Sequence, residues 1–327
     1  MRIFITGGTG FIGTHLVQRL ALTQHRMACL VRKTSNVSTL NKVGATLVTG
    51  DVMDRDSLLQ AMKGCCGVIN LANVYSFWEP DRRVYREVNV KGTRNVMEVA
   101  LELGVSKVLH VSTALIYGKP ADVPFTEESP VGPARFCEYA ETKYQGDLIA
   151  WELCEKKRLP LVMIYPAAVL GSGDSKATGQ LIQDLIDRRL PATAFHGPIV
   201  TWVHVRDVAE AIVRAMDKED NLGEKYLVGK EQLSIGQFYR MVSEISGVPL
   251  PRFHLPDSLA MASARLLTWL ADLTKKPPLW GMAVDEISTI KEGFRLDGSK
   301  AERELGVIYT PIRLAIEGAI ASYREGP

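Results

Sequence analysis

The sequence predicts an α/β chain with a doubly wound parallel sheet and a smaller C-terminal lobe. Three observations carry this. Short apolar runs alternate with segments of helical period as far as Pro166. The first run meets the first helix through a glycine-rich turn, Gly7-Gly8-Thr9-Gly10-Phe11-Ile12-Gly13. Beyond Pro166 the regular alternation stops.

Each element follows from its residues. Residues 3–5 are continuously apolar, as a strand buried on both faces is. Residues 14–22 carry Leu16, Val17 and Leu20 at helical spacing. Residues 27–31 and 46–49 read as the second and third strands. Residues 54–62 read as a short helix, with Asp54 placed to accept the free amides of its first turn. The fourth strand is 68–71, followed by a loop with Tyr75, Phe77 and Trp78. A long helix over 81–103 stops at Gly104. The fifth strand is 107–112, a polar, proline-rich loop spans 119–133, a helix covers 137–157 and the sixth strand is 161–165. Later segments read as helices at 178–188, 206–216, 235–246 and 255–273, and as strands at 200–203 and 224–228. The expected division is a sheet domain over 1–165, with 204–230 packing back on it. Residues 166–203 and 231–327 then form the lobe.

Bulk properties exclude several classes. The 327 residues can bury a large core. Lys plus Arg minus Asp plus Glu is 39 − 37 = +2, which gives no electrostatic case for nucleic acid. Cys29, Cys65, Cys66, Cys137 and Cys154 have neither metal-site spacing nor an even count, so reduced thiols in a cytoplasmic protein and no metal site are expected. Neighbouring Cys65 and Cys66 bridge only with strain, so burial is expected over a redox role. The chain opens on a strand, and no signal peptide is expected. No apolar run approaches the roughly 18 residues of a membrane-spanning helix. Lys275-Lys276 after an apolar helix fits either a lobe that touches a membrane or a solvated helix end.

Three motifs carry chemistry. In the glycine turn, Gly7 and Gly8 permit a tight bend. Gly10 admits close approach of a pyrophosphate, and Gly13 lets helix and strand pack closely. The following helix offers free N–H groups and a partial positive charge to phosphates. Such a turn also occurs for packing alone, but its place between strand and helix points to a dinucleotide. Tyr139 and Lys143, four apart, share one helix face. An ammonium near a phenol favours its ionised form and suits it to proton exchange with a carbonyl or alcohol oxygen. A surface pair is the plainer reading. Ser112 and Thr113 end the fifth strand, where a hydroxyl can hold a reacting oxygen or merely cap a turn.

Taken in order, these motifs resemble the extended short-chain dehydrogenase/reductases, the NAD-dependent epimerase/dehydratase superfamily with its Rossmann-type sheet. Gly50-Asp51, Asn89-Val-x-Gly92-Thr93-x-Asn95 and His204-Val-x-Asp207-Val208-Ala209 add to the resemblance, which runs from residue 1 to about 230. It implies that Tyr139 is the general acid/base, assisted by Thr113, with Ser112 the second choice. Lys143 would lower the tyrosine pKa and hold the nicotinamide ribose. Gly7, Gly10, Phe11, Ile12 and Gly13 would line the pyrophosphate. Asp51 and Val52 would contact the adenine, and Leu71 and Ala72 the cleft. Pro166 and Val169 would lie beside the nicotinamide. Asn89, Asn95 and Asp207 would be structural, and His204 could be either. A homodimer through the helices at 81–103 and 137–157 is implied as well.

Cofactor preference rests on Arg32-Lys33. No acid stands between Met27 and Asn41 to bind a ribose 2′-hydroxyl, whereas the Arg32 guanidinium matches a 2′-phosphate. NADP(H) is expected, with NAD(H) the alternative. After the sixth strand the chain reads Tyr165-Pro-Ala-Ala-Val169-Leu-Gly171. It lacks the Arg and Asn of sugar-nucleotide relatives and is similar to dihydroflavonol 4-reductase and 3β-hydroxysteroid dehydrogenase relatives. Tyr75, Phe77, Trp78, Leu115, Phe136, Trp202 and Met261 are the candidates to line an apolar pocket. The expected activity is reduction of a hydrophobic carbonyl compound, or oxidation of its alcohol. The Trp78-Glu-Pro80 loop, similar to that of hopanoid-linked epimerase-like relatives, keeps a sugar epimerase or dehydratase as the alternative. A cofactor-sensing binding protein stands third.

Overall fold

The computed structural model describes residues 1–325. At its centre is a seven-stranded sheet. The strands in chain order are β1 (Arg2–Thr6), β2 (Arg26–Val31), β3 (Thr46–Thr49), β4 (Gly67–Asn70), β5 (Lys107–Val111), β6 (Leu161–Pro166), β7 (Ala168–Leu170), β8 (Ala192–Thr193), β9 (Ile199–His204), β10 (Lys225–Val228), β11 (Glu231–Ser234) and β12 (Phe253–His254). The large sheet runs β3-β2-β1-β4-β5-β6-β10, and every neighbouring pair in it is parallel. Strand order reverses between β1 and β4. In such sheets the crevice for a ligand opens there, at the carboxyl ends of the strands.

The central strands are buried and mostly apolar because helices cover both faces. Ile3, Phe4 and Ile5 are buried, as are all residues of β4, β5 and β6. The first helix spans Phe11–Leu20 and sets Leu16, Val17 and Leu20 on the sheet. It starts three residues before the apolar spacing does, since the Gly10 carbonyl already accepts from the Thr14 amide at 2.9 Å. Asp54 caps the helix Arg55–Met62, accepting from the amides of Asp56 and Ser57 at 3.1 Å each.

The long helix of the sequence reading contains a widened turn. Regular helix at Arg83–Tyr85 passes through a π-helical stretch, Arg86–Gly92, into Thr93–Glu102. This stretch packs tightly on the helix Glu138–Lys157: a Cβ on Gly146 would lie 2.5 Å from the Asn89 carbonyl oxygen.

After β6 the chain builds the lobe, then returns. Helix Val205–Asp217 packs against Phe11–Leu20, and β10 completes the sheet beside β6. The lobe has its own core, centred on Ile182, Trp202, Phe238 and Ile316, and two small sheets, β11-β9-β7 and β12-β8. Helix Asp257–Thr274 lies on helix Val284–Glu292. No described helix is long and apolar enough to cross a membrane. All five cysteines are free, with Cys65 buried and Cys66 exposed.

Candidate active site

The glycine turn at the end of β1 leaves no room for a side chain at Gly7 or Gly13. Gly7 has φ +70°, and a Cβ there would lie 2.8 Å from the backbone of Leu71 and Ala72. A Cβ on Gly13 would stand 2.1 Å from the Gly7 carbonyl oxygen. Leu71 and Ala72 therefore lie flush against the turn, where the Ala72 amide donates to Thr6 Oγ1 at 3.1 Å. The following helix has no acid in its first turn, so its amides present uncompensated positive charge. This cradle fits a pyrophosphate. Phe11 and Ile12 open the helix and are half-buried.

Around the crevice, Arg32 and Lys33 follow β2 and are exposed. The Arg32 amide donates to Ser35 Oγ at 3.1 Å, which turns the chain and leaves the guanidinium outward. The Asp51 carboxylate accepts from the Met53 amide at 2.9 Å. Val52 is buried, and its carbonyl accepts from Asn95 Nδ2 at 2.9 Å. Pro166 closes β6, and Val169 lies on β7.

Thr113, Tyr139 and Lys143 come together. All three are buried. Tyr139 sits in the first turn of Glu138–Lys157, with Thr113 just past the end of β5. Lys143 Nζ donates to the Val111 carbonyl at 2.9 Å. Burial lowers the Lys143 pKa to about 8, against the opposing pull of Asp147. Burial raises the Tyr139 phenol, Cys137 adds to that, and the Thr113 hydroxyl acts the other way. The expected depression of this phenol by Lys143 is therefore corrected: desolvation dominates, and Tyr139 is a neutral phenol. Ser112 is turned elsewhere, donating to Asp147 Oδ2 at 2.7 Å.

That contact belongs to a buried polar chain across the strand ends. Thr6 donates to Asn70 Oδ1 at 2.5 Å, and Asn70 Nδ2 reaches His110 Nδ1 at 3.0 Å. His110 Nε2 lies 3.3 Å from Asp147 Oδ1. Burial, with Lys143 nearby, lowers the His110 pKa and keeps the ring neutral. The chain ties β1, β4 and β5 to the helix that carries Tyr139 and Lys143. Asn89 adds a second tie, accepting from the Val74 amide at 2.8 Å and donating to Thr142 Oγ1 at 3.1 Å. His204 caps its helix through Nδ1, accepting from the Arg206 amide at 3.0 Å. Asp207 accepts from both the amide and the hydroxyl of Thr310.

A cavity of about 300 Å³ opens beside this group. Its walls include Tyr75, Phe77 and Trp78 from the loop after β4, Leu181 and Asp184 from helix Ala177–Ile186, and Trp280 and Glu286 from the C-terminal segment. Tyr75 connects cavity and site, its ring meeting the Tyr139 ring edge-on at 5.0 Å between centroids. Leu115 packs with Phe77 and Tyr139. Phe136 and Met261 are half-buried and do not line the cavity. Trp202 is corrected: it is 4% exposed and stacks on Phe238 with centroids 4.6 Å apart, because β9 faces the lobe's own core. Burial, with Asp184 adding to it, raises the Glu286 carboxyl to about 8. Glu286, Leu181 and Trp280 escaped the sequence reading, since no motif or period distinguishes them from surface residues.

Residues 3–229 match the model of the NAD dependent epimerase/dehydratase family. A putative dihydroflavonol 4-reductase of Synechocystis is 30% identical, over 97% of this chain and 93% of that protein. Sterol demethylase protein B of Methylococcus capsulatus is 31% identical over 99% of both. Among solved structures, gox2253 superposes with a TM-score of 0.85 at 34% identity, covering 99% of this chain and 98% of that one. With the glycine cradle at the switch point of a parallel sheet, these matches establish that the chain belongs to the NAD dependent epimerase/dehydratase family, as an extended short-chain dehydrogenase/reductase acting on CH–OH/C=O centres.

Proposed function

We propose that this protein is an NADP(H)-dependent reductase of a hydrophobic carbonyl compound, working through Tyr139. The observation that carries this reading is the contact between Tyr75 and Tyr139, which sets an aromatic-walled cavity directly against a buried neutral phenol. NADPH, when bound along the crevice, supplies the hydride. Gly7, Gly10 and Gly13 would hold its pyrophosphate, and Arg32 would pair with its 2′-phosphate. Tyr139 holds a proton on its phenol oxygen and gives it to the substrate oxygen, which the Thr113 hydroxyl also orients. Lys143, mostly protonated at neutral pH with its pKa near 8, stabilises the phenolate that remains. The Tyr75, Phe77 and Trp78 walls exclude water and favour an apolar substrate. The helices Thr93–Glu102 and Glu138–Lys157 join two copies.

The test is NADPH oxidation against a panel of apolar ketones and aldehydes, with NADH in parallel. Tyr139→Phe is expected to lower kcat by about a hundredfold or more, with NADPH binding intact by fluorescence. Substantial turnover in that variant sinks the mechanism. The family match itself favours a second reading, an epimerase or dehydratase that stores the hydride on bound NAD. Silence across the panel, with NAD copurifying, supports that one.

A further inference from the structure

Helix Asp257–Thr274 has its apolar residues distributed in an unusual way. Small side chains face inward: Ala260, Ala264, Thr268 and Ala271 are buried. Large ones face outward: Leu259, Leu266, Trp269, Leu270 and Leu273 are between 41% and 62% exposed. At 3.6 residues per turn these five fall within an arc about 100° wide. Arg265 and Asp272 lie at its flank. Shortly after the helix, Leu279 and Trp280 are exposed as well. Trp280, with Pro277 and Pro278, also lines the cavity beside Tyr139. Trp78 Nε1 donates to Asp272 Oδ1 at 2.9 Å and holds the aromatic loop to this helix.

We infer that this helix seats the protein on an anionic lipid surface, with the cavity opening toward the bilayer. A connected outward face of leucines and tryptophans is rare on a soluble monomer unless it meets another phase or partner. Charge identifies the occupant. Lys275 and Lys276 are exposed directly beyond the stripe, and an apolar helix face edged by cations is complementary to acyl chains beneath anionic head groups. A second copy seated on the stripe would cover Trp280 and shut the cavity opening. The inference deepens the reading of the site as one for an apolar substrate, and rests on it only for the route that substrate takes.

The experiment is flotation of the full chain with vesicles of phosphatidylcholine alone and of phosphatidylcholine mixed with phosphatidylglycerol. It is read without turnover, so its failure leaves the reductase proposal standing. The chain is expected to float with the mixed vesicles and much less with the neutral ones. Leu266→Ser/Trp269→Ser/Leu273→Ser, checked for folding by near-ultraviolet dichroism, is expected to stay in solution. Lys275→Ala/Lys276→Ala leaves the helix intact and is expected to weaken partitioning into the mixed vesicles by about fivefold per lysine. The inference is overturned if the wild-type chain ignores both vesicles or if the triple serine variant still floats. It is equally overturned if that variant turns a dimer into monomers by sedimentation, which would assign the stripe to a second copy.

Discussion

Arg32 and Glu286 show how little of a side chain's role lies in its type. Arg32 stands free at the end of β2, its backbone fixed by Ser35. Arg32→Ala is expected to weaken NADPH binding by about tenfold or more, the scale of a charge-assisted contact to phosphate, while NADH binding stays unchanged by titration. Equal NADPH affinity in the variant rejects the 2′-phosphate assignment. Glu286 is held neutral by its surroundings. Desolvation raises it to about 8, and Asp184, which lines the same cavity, adds to the rise. The folded state thus keeps a proton that the unfolded chain releases at the ordinary value of 4.5. The resulting stability is fully present below that pH and is lost as pH rises through about 8. Glu286→Gln is expected to flatten the fall of Tm over this window, and an unchanged Tm profile would reject the assignment. Arg32 could be suspected from the sequence because it follows a strand where an acid was missing. Glu286 could not, because its pKa is set by burial in the folded chain, with Asp184 adding to it.

At the scale of elements, the glycine cradle and the helix Glu138–Lys157 were legible because local chemistry fixes them. Turn, cap and four-residue spacing are short-range facts. The π-helical stretch at Arg86–Gly92 was not legible, since the contact that accompanies it, Gly146 against Asn89, joins two helices distant in sequence. The same holds for Ser112 and Thr113. Adjacent hydroxyls look equivalent until Asp147 takes one of them. Leu148, half-exposed on the helix Glu138–Lys157, belongs to the face proposed to join two copies. Leu148→Glu is expected to shift the protein toward monomer in sedimentation velocity, and an unchanged sedimentation coefficient would remove that face from the dimer.

For the whole molecule, two cores divide the labour. The sheet core fixes the crevice, and the lobe core carries the far wall of the cavity. Trp202 was expected at the substrate and belongs to the lobe core, where it stacks on Phe238. Trp202→Ala is therefore expected to cost about 3–5 kcal/mol of stability, measured by denaturant unfolding, and to leave the order of preferred substrates unchanged. A changed preference at full stability would return Trp202 to the pocket. Short apolar runs placed the early strands within a residue of their observed bounds. The lobe was harder, because its helices pack on one another rather than on a repeating strand unit.

The sequence alone determined the parallel sheet and its glycine turn, and it singled out Thr113, Tyr139 and Lys143 as candidates. Each of these is written in short segments whose spacing has one physical solution. The tertiary structure alone decided which hydroxyl faces Tyr139, which way the Tyr139 pKa moves, which aromatics wall the cavity and which face of helix Asp257–Thr274 is left outward. These depend on what lies opposite a residue across the fold. Desolvation and packing are properties of that three-dimensional neighbourhood, and spacing along the chain does not encode them.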